Sequence, residues 1–419
     1  MTMRISSKTI YDNGVGQLGT LQTSLAKTQQ QLATGRRVLT PADDPIASAR
    51  ALEVTQSQSI NTQLATNRSN ARASLSQEEV ALASATALFQ DIKTLTVNAG
   101  NGSMTNKDRE SLAVELEGRL QDLLGIANTA DGSGGYIFSG FKDSIPFSLN
   151  ATGATYQGDQ GERTLQVGSS RKISVSDSGS AIFENNATGN GSFKTGADPA
   201  NFGRGGTGII SPGAVTNTGA LTDHQYAINF SVIPATPGVP KVTTYTVMDL
   251  TLNQPVPANP VPPDPIPYTS GQSISFDGLQ FEIKGDPADL DTFTVDPSNK
   301  KSVFETMRDL LTALRQDGEG AAGQARLTNA LNQVNSNIDN ASDNLLAVRA
   351  SVGARMKELD YLDSSGEDLN IQYATTLSNL TEVDTIKAIS QFTQQQINLE
   401  AAQKSYKTLT GLSLFNYIG

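Results

Sequence analysis

Near both ends of the chain, apolar residues recur at helical spacing in a background of Gln, Thr, Ser and Asn: Leu18, Leu21, Leu25 and Leu32 near the start, and a set from Leu377 to Leu409 near the finish. Tyr11, Leu18, Leu25 and Leu32 lie seven apart, with Leu21 at the second seam position and Thr28 as a polar member. That is a short heptad pattern. Gly35 and Pro41 end it, and Asp44-Pro45 restarts a helix with an N-cap carboxylate followed by proline at the first helical position. The next helix is expected from Pro45 to about Val97, roughly 80 Å at 1.5 Å per residue, with Leu75, Leu82 and Phe89 on its seam. Gly100-Asn101-Gly102 reads as a turn. Thr105-Asn106-Lys107-Asp108 has the form of a capping box, and Leu112, Leu116, Leu120 and Leu123 then share one face until Asp131 to Gly135 ends the helix.

The return leg is more regular. From Leu327, the positions Leu331, Val334, Ile338, Ala341, Leu345, Val348, Val352, Arg355, Leu359 and Leu362 alternate steps of four and three without slippage. Only Arg355 is out of character, and the pattern predicts a coiled-coil helix. The C-terminal stripe behaves differently, because Leu377, Leu380, Val383, Ile386, Ile389 and Phe392 advance by three. Each such step drifts about 60° around a 3.6-residue helix. A stripe that winds in this way cannot be buried by one partner helix. The plain alternative for both terminal stripes is an ordinary intramolecular helix pair, and the drift of the C-terminal one weakens it. We therefore expect the terminal helices to be completed by adjacent subunits through Leu18, Leu21, Leu25, Leu32, Leu380, Val383, Ile386, Ile389, Phe392, Ile397, Leu399, Tyr406, Leu409, Leu412, Leu414 and Phe415.

The middle is different material. Tyr226, Ile228, Phe230 and Val232 alternate at period two. Ile274-Ser275-Phe276, then Asp277-Gly278, then Leu279, Phe281 and Ile283 read as a hairpin with a tight turn. Ten of the 17 prolines fall between Pro234 and Pro267, which forbids helix there and confines strands to edges. The expected fold class is α+β: a long helical coiled-coil bundle built from both termini, with β-rich structure inserted in the middle. Three parts are expected. Residues 1–42 and 368–419 make a terminal helical domain, residues 43–187 and 299–367 a long-helix domain with β-hairpins, and residues 188–298 a β-rich outer domain.

Composition narrows the function. A formal net charge of -11 and a pI near 4.7 argue against a nucleic-acid partner, which calls for a basic face. Cysteine and tryptophan are absent and His224 is the only histidine, which removes thiol nucleophiles, disulfides, Cys-ligated metals and His-rich sites. No apolar run of about 18 residues is present, so no helical membrane insertion is expected. The start, Met1-Thr2-Met3-Arg4-Ile5-Ser6-Ser7, has no apolar stretch behind its basic residue and does not read as a secretory signal peptide. Either the protein stays in the cytoplasm or it leaves by a route that needs no cleaved signal. Between Tyr11 and Tyr136 the only aromatic is Phe89, which suits slender helices packed through Leu and Ala.

Three motifs carry candidate chemistry. Gly203-Arg204-Gly205-Gly206-Thr207-Gly208 matches G-x-G-x-x-G, but no apolar strand precedes it and Pro212-Gly213 stands where the helix should be, so a flexible loop is the expectation. Asp223-His224 reads as a surface turn, not as part of a proton relay. Asp286, Asp289, Asp291 and Asp296 lie close enough to hold a hard cation, yet lack the glycine and terminal glutamate of an EF-hand loop. No catalytic, cofactor-binding or metal-binding residue is assigned, and the chain is not expected to be an enzyme.

The specific residues are at the ends. Met3-Arg4-Ile5-Ser6, Leu32-Ala33-Thr34-Gly35-Arg36-Arg37-Val38 and Pro41-Ala42-Asp43-Asp44-Pro45 resemble the N-terminal region of the flagellin superfamily. Asn98-Ala99-Gly100-Asn101-Gly102, Ala127-Asn128-Thr129 and Gly135-Tyr136-Ile137-Phe138-Ser139-Gly140 resemble its flagellar hook-associated protein 3 branch. So do Ala401-Ala402-Gln403-Lys404-Ser405-Tyr406 and Gly411-Leu412-Ser413-Leu414-Phe415-Asn416-Tyr417-Ile418. The resemblance covers about the first 140 and last 120 residues. It implies a mechanical role: a homo-oligomeric ring in the extracellular bacterial flagellum, joining the hook, through hook-associated protein 1, to the flagellin filament. It further implies export through the flagellar type III secretion channel without a cleaved signal, with a cytoplasmic chaperone holding the C-terminal helix beforehand. The alternatives are a flagellin filament subunit, opposed by an ending unlike the Leu-Leu-Arg finish usual there, and a surface-binding or hydrolytic module carried on a helical stalk.

Overall fold

The computed structural model describes residues 7–237, 240–257 and 264–411. Helix α1 (Ser7–Thr34) is followed by α2 (Pro45–Ala99). Asp44 Oδ1 accepts the Ala47 N–H at 3.0 Å, the cap expected of that aspartate. Helix α3 (Asn106–Ala127) opens on the Thr105 capping box, with the Thr105 N–H and hydroxyl both donated to Asp108 Oδ2. It closes short of the expected Asp131 stop. Asn128 turns away to pair with Phe147, accepting its N–H at 2.8 Å and donating to its carbonyl at 2.9 Å, which fixes the next strand against the helix end.

Two small hairpins follow, β1 (Phe147–Asn150) with β2 (Gly153–Tyr156), and β3 (Thr164–Gln166) with β4 (Lys172–Ser174). After β5 (Asn186–Ala187), the outer β-rich region comprises β6 (Phe193–Ala197), the short helix α4 (Ala200–Arg204), β7 (Ile209–Ile210), β8 (Ala214–Val215), β9 (Tyr226–Ile233), β10 (Val242–Asp249), β11 (Gln254–Val256), β12 (Ile266–Pro267), β13 (Ser273–Phe276), β14 (Leu279–Lys284) and β15 (Thr292–Pro297). One sheet has the order β11-β10-β9-β15-β6 with β12 also on β10; a second has β13-β14-β7 with β8 also on β14. Two of the three proline-containing strands, β11 and β12, are short and pair only with β10, where a missing N–H is tolerated, and the third, β15, carries Pro297 as its last residue. Asp277 and Gly278 take φ of 45° and 76°, the left-handed pair that the β13–β14 turn requires. The sheets close on Tyr226, Ile228, Phe230, Phe281, Ile283 and Phe293.

The chain then returns through β16 (Lys300–Lys301), α5 (Val303–Arg315), α6 (Gly320–Thr381) and α7 (Thr385–Gly411). Two compact units result: one joins the described residues up to Thr66 with those from Tyr361 onward, and the other is Asn67–Asp360. In the second unit Leu75, Leu82 and Phe89 of α2, Leu116, Leu120 and Leu123 of α3, and Leu327, Leu331, Val334, Ile338, Ala341, Leu345, Val352 and Leu359 along the α6 seam are buried. Helix α5 adds Phe304, Met307, Leu310 and Leu314. Phe304 also meets Phe147 at 5.1 Å between ring centroids, and Phe147 meets Phe183 edge-on at 5.6 Å, so an aromatic cluster ties the β1–β2 hairpin to the helices.

Two polar devices organise this unit. Along one side of α6, about 120° from the Leu/Val/Ile seam at 100° per residue, runs a line of side-chain amides bonded to main chain. Asn329 accepts the Ile210 N–H and donates to the Gly208 carbonyl, both at 2.9 Å. Gln333 donates to the Thr195 carbonyl at 2.8 Å, Asn337 accepts the Gly189 N–H at 3.0 Å, and Asn344 donates to the Ala181 carbonyl at 2.9 Å. Asn340 donates to the carbonyls of Ala187 and Gly189 at 2.9 and 2.8 Å. This amide rail supplies partners for backbone groups that strand pairing leaves over. Asn340→Leu is expected to destabilise residues 67–360 by roughly 1–3 kcal/mol, the cost of stranding acceptors in a partly buried place. Hydrogen exchange at 187–193 should rise first; unchanged protection there would refute the assignment.

The second device is a buried acid. Glu78 is fully buried on α2, with Oε1 accepting the Asp177 N–H at 3.1 Å and Oε2 left without a donor. Asp177 is paired with Arg355, which also donates to the Ser174 carbonyl at 3.1 Å. Arg355, the odd member of the α6 heptad, therefore leaves the seam to hold the segment after β4. Burial, followed by the nearby Asp177 carboxylate, pushes the Glu78 acid up to about 8.

Candidate assembly surface

The terminal unit is built on α1 against α7. Leu18, Leu21, Leu25 and Leu32 of α1 are half-buried around buried Thr28, whose hydroxyl donates back to the Ser24 carbonyl. From α7, Ala388 is buried, and Phe392, Leu399 and Tyr406 are half-buried. Gln395 donates to the Ser24 hydroxyl at 3.1 Å across the seam. At the far end the Tyr11 and Tyr406 rings lie 5.6 Å apart. A Cβ on Gly14 would stand 2.6 Å from the Tyr406 ring, so that glycine is a notch for the tyrosine. Loss of hydration and then the Tyr11 hydroxyl push the Tyr406 phenol up to about 12, so it stays neutral. Ala388, Gln395 with Ser24, and Gly14 were not foreseen from sequence. A glycine three residues from Tyr11 was the available signal.

The connectors between helices are knit to each other. Arg37 N–H donates to the Thr381 carbonyl at 2.7 Å and Val383 N–H to the Gly35 carbonyl at 2.9 Å, forming a bridge between Arg36 and Glu382. Gly35 takes φ of 68° to allow it. The Arg37 guanidinium donates to the Leu380 carbonyl at 2.8 Å and pairs with Asp44 at 3.1 Å. Asp43 accepts the Leu39 and Thr40 N–H groups and pairs with Lys27 at 2.6 Å; the lysine first, then the Thr40 amide, hold its acid down to about 2. Leu380 and Val383 sit half-buried beside this joint.

The predicted C-terminal stripe is divided. Ile386, Ile389 and Ile397 are 82%, 55% and 56% exposed. At about 100° per residue Ile386 and Ile397 lie on the side of α7 opposite Ala388, Phe392, Leu399 and Tyr406, and Ile389 lies on the flank between the two. Helix α7 thus carries two apolar faces, of which α1 covers one. The Leu409 side chain and residues Leu412, Leu414 and Phe415 lie outside the described residues.

The three candidate chemical motifs are structural. In the glycine run, Gly205 ends α4 at φ 79° and Gly206 and Gly208 admit Asp291 and the Phe293 ring at close range, so the run is packed rather than flexible. Its glycines follow a helix instead of preceding one, the reverse of a phosphate cradle. The His224 partner is Asp249, at 2.7 Å, not Asp223. Asp289 and Asp291 accept the N–H groups of Val232 and Ala288. Among the described residues no group of three or more His, Cys, Asp or Glu is placed to hold a metal ion.

Terminal helices packed against each other, long helices entering and leaving a second unit, and a β-rich insert define a subunit of the flagellin class; residues 5–143 match the bacterial flagellin N-terminal helical region. The chain is 28% identical to flagellar hook-associated protein 3 of Salmonella typhimurium over 415 residues, 99% of each chain. The crystal structure of the flagellar junction protein FlgL from Legionella pneumophila is 30% identical, with a TM-score of 0.71 over 80% of this chain and 100% of that one. That of Xanthomonas campestris FlgL is 29% identical, with a TM-score of 0.68 over 78% and 99%. The chain belongs to the flagellar hook-associated protein 3 family, FlgL, a structural component of the bacterial flagellum.

Proposed function

We propose that this subunit works mechanically, as a ring of identical copies at the junction of hook and filament, and that the terminal helices make the ring. The observation that carries this is the uncovered face of α7, where Ile386, Ile389 and Ile397 stand in water although α1 lies on the other side. Each such residue contributes about 1.5–3 kcal/mol when removed from water, before ordering is subtracted. The assembly positions are those anticipated in the sequence, from Leu18, Leu21, Leu25 and Leu32 to Leu380, Val383, Ile386, Ile389, Phe392, Ile397, Leu399 and Tyr406. Hook-associated protein 1 is the neighbour on the hook side and flagellin on the filament side. The subunit reaches its place through the flagellar type III channel, escorted in the cytoplasm by a chaperone on the C-terminal helix. Catalysis has no part in the role.

Electron micrographs of cells lacking this chain should show hooks without filaments; filaments of normal length on such cells would overturn the reading. Seeded polymerisation separates the flagellin alternative. The purified chain should add to a hook-side seed and stop, whereas long filaments grown from it alone would make it a filament subunit.

A further inference from the structure

Among the described strands, β3 and β4 pair only with each other, so this hairpin is held in place by the helices beneath it. Its buried apolar side chains are few: Val167, Ile173 and, just beyond β4, Val175. The other ties are polar. From α2, Asn67 donates to the Gln166 carbonyl at 2.8 Å and Arg68 to the Val167 carbonyl at 3.1 Å. Toward α6, Arg171 of the hairpin donates to Glu358 at 2.8 Å, and Arg355 holds both the Ser174 carbonyl and Asp177. The last tie runs through Glu78, which accepts the Asp177 N–H and whose carboxyl also meets the Asp177 carboxylate. The charged groups around Glu78 are Asp177, Arg355 from α6 and, next along α2, Glu79, which is already paired with Arg349 of α6. One guanidinium is therefore left to two carboxyl groups, of which Glu78 is fully buried. Two carboxylates cannot both ionise cheaply in such a place, and a proton on Glu78 replaces their repulsion with an O–H···O bond to Asp177.

We infer that residues 163–177 form a strap, locked onto α2 and α6 by the proton on Glu78 and opening as one piece when that proton is lost. Opening carries Asp177 away with the hairpin and lets water reach both carboxylates, while the α5 core of Phe304, Met307, Leu310 and Leu314 stays closed. The hairpin leaves before the rest of residues 67–360 unfolds, because it breaks no other sheet and withdraws few apolar side chains. The closed form keeps the Glu78 proton up to about 8, whereas the open form releases it from the ordinary value of 4.5 upward. Rising pH therefore drives opening across that window and has no effect below it.

Hydrogen exchange of the purified full chain between about pH 5 and 9, with the intrinsic rise of amide exchange divided out, tests the strap. The N–H groups of Val167, Val175 and Asp177 bond Arg171, Arg163 and Glu78. Their protection should fall about tenfold per pH unit up to about 8, and at each pH it should stand well below that of α5. Glu78→Gln has no proton to lose and should hold strap protection level across the range. Asp177→Asn, which leaves Arg355 to Glu78 alone, should flatten the profile too, and it serves if the first variant does not fold. Equal protection of strap and α5 at every pH would mean that the hairpin leaves only with the whole unit; that result overturns the strap while leaving the protonation of Glu78 intact. A Glu78→Gln profile parallel to the wild type overturns the role of the proton.

Discussion

Exchange of Leu25 and Leu32 together for aspartate is expected to leave cells with hooks and no filaments, while residues 67–360 unfold as in the wild type. Both leucines are half-buried in the α1 face toward α7, on either side of buried Thr28. Each aspartate forfeits apolar burial and brings a carboxylate that must be stripped of water, together on the order of several kcal/mol for each subunit. That loss falls on the terminal unit alone, because the second unit draws its core from α2, α3, α5, α6 and the β region within 67–360. In a ring the effect repeats at every contact, so incorporation should fail outright. Motility counts and negative-stain images of the double variant provide the measurement, with circular dichroism of the purified chain as the control. Normal swimming would sink the assembly role of the α1 seam; a collapsed helical signal across the whole chain would mean that the units are not independent.

The second large effect is on stability against pH. Below the ordinary glutamate value of 4.5, both folded and unfolded chains keep the Glu78 proton and the group is neutral in the balance. From there to about 8 the unfolded chain releases the proton while the folded chain retains it, so stability falls as pH rises; above about 8 the loss is complete. The slope approaches 1.36 kcal/mol per pH unit, or a few kcal/mol over the window. Glu78→Gln keeps an acceptor for the Asp177 N–H and has no proton to lose. Its amide can also donate to the Asp177 carboxylate that Arg355 holds, and the Glu79–Arg349 pair beside it stays in place. Wild type and variant should therefore match near pH 5, and the variant should be more stable by a few kcal/mol near pH 9 in urea unfolding. Parallel pH profiles would show that Glu78 does not hold its proton in the fold.

The regularity of the sequence pattern decided what was legible in it. The α6 heptad was plain because steps of four and three keep one face turned to the same neighbours. Its single misfit, Arg355, marks where the chain after β4 lands on the helix. The α7 stripe announced by its drift that two faces exist, but not which one α1 covers; that depends on Ala388 and Gln395, which look unremarkable in a polar helix. Helix α5 was overlooked because Asp317 to Gly320, with Gly320 at φ 72°, separates it from the long periodic run. The insertion of β15 between β9 and β6 joins segments far apart in sequence, which local alternation cannot specify. The amides of α6 pass for a solvent-facing stripe until the strands they serve are in place.

Those amides have a bearing on how such a molecule changes over generations. They grip carbonyls and N–H groups at Ala181, Ala187, Gly189, Thr195, Gly208 and Ile210, atoms that every residue type except proline presents alike. The side chains of Ala181 and Ala187 are therefore free to drift without rewriting the helix, whereas Gly189 and Gly208, where a Cβ would stand 2.2 and 2.5 Å from Phe193 and Phe293, are held by their own packing.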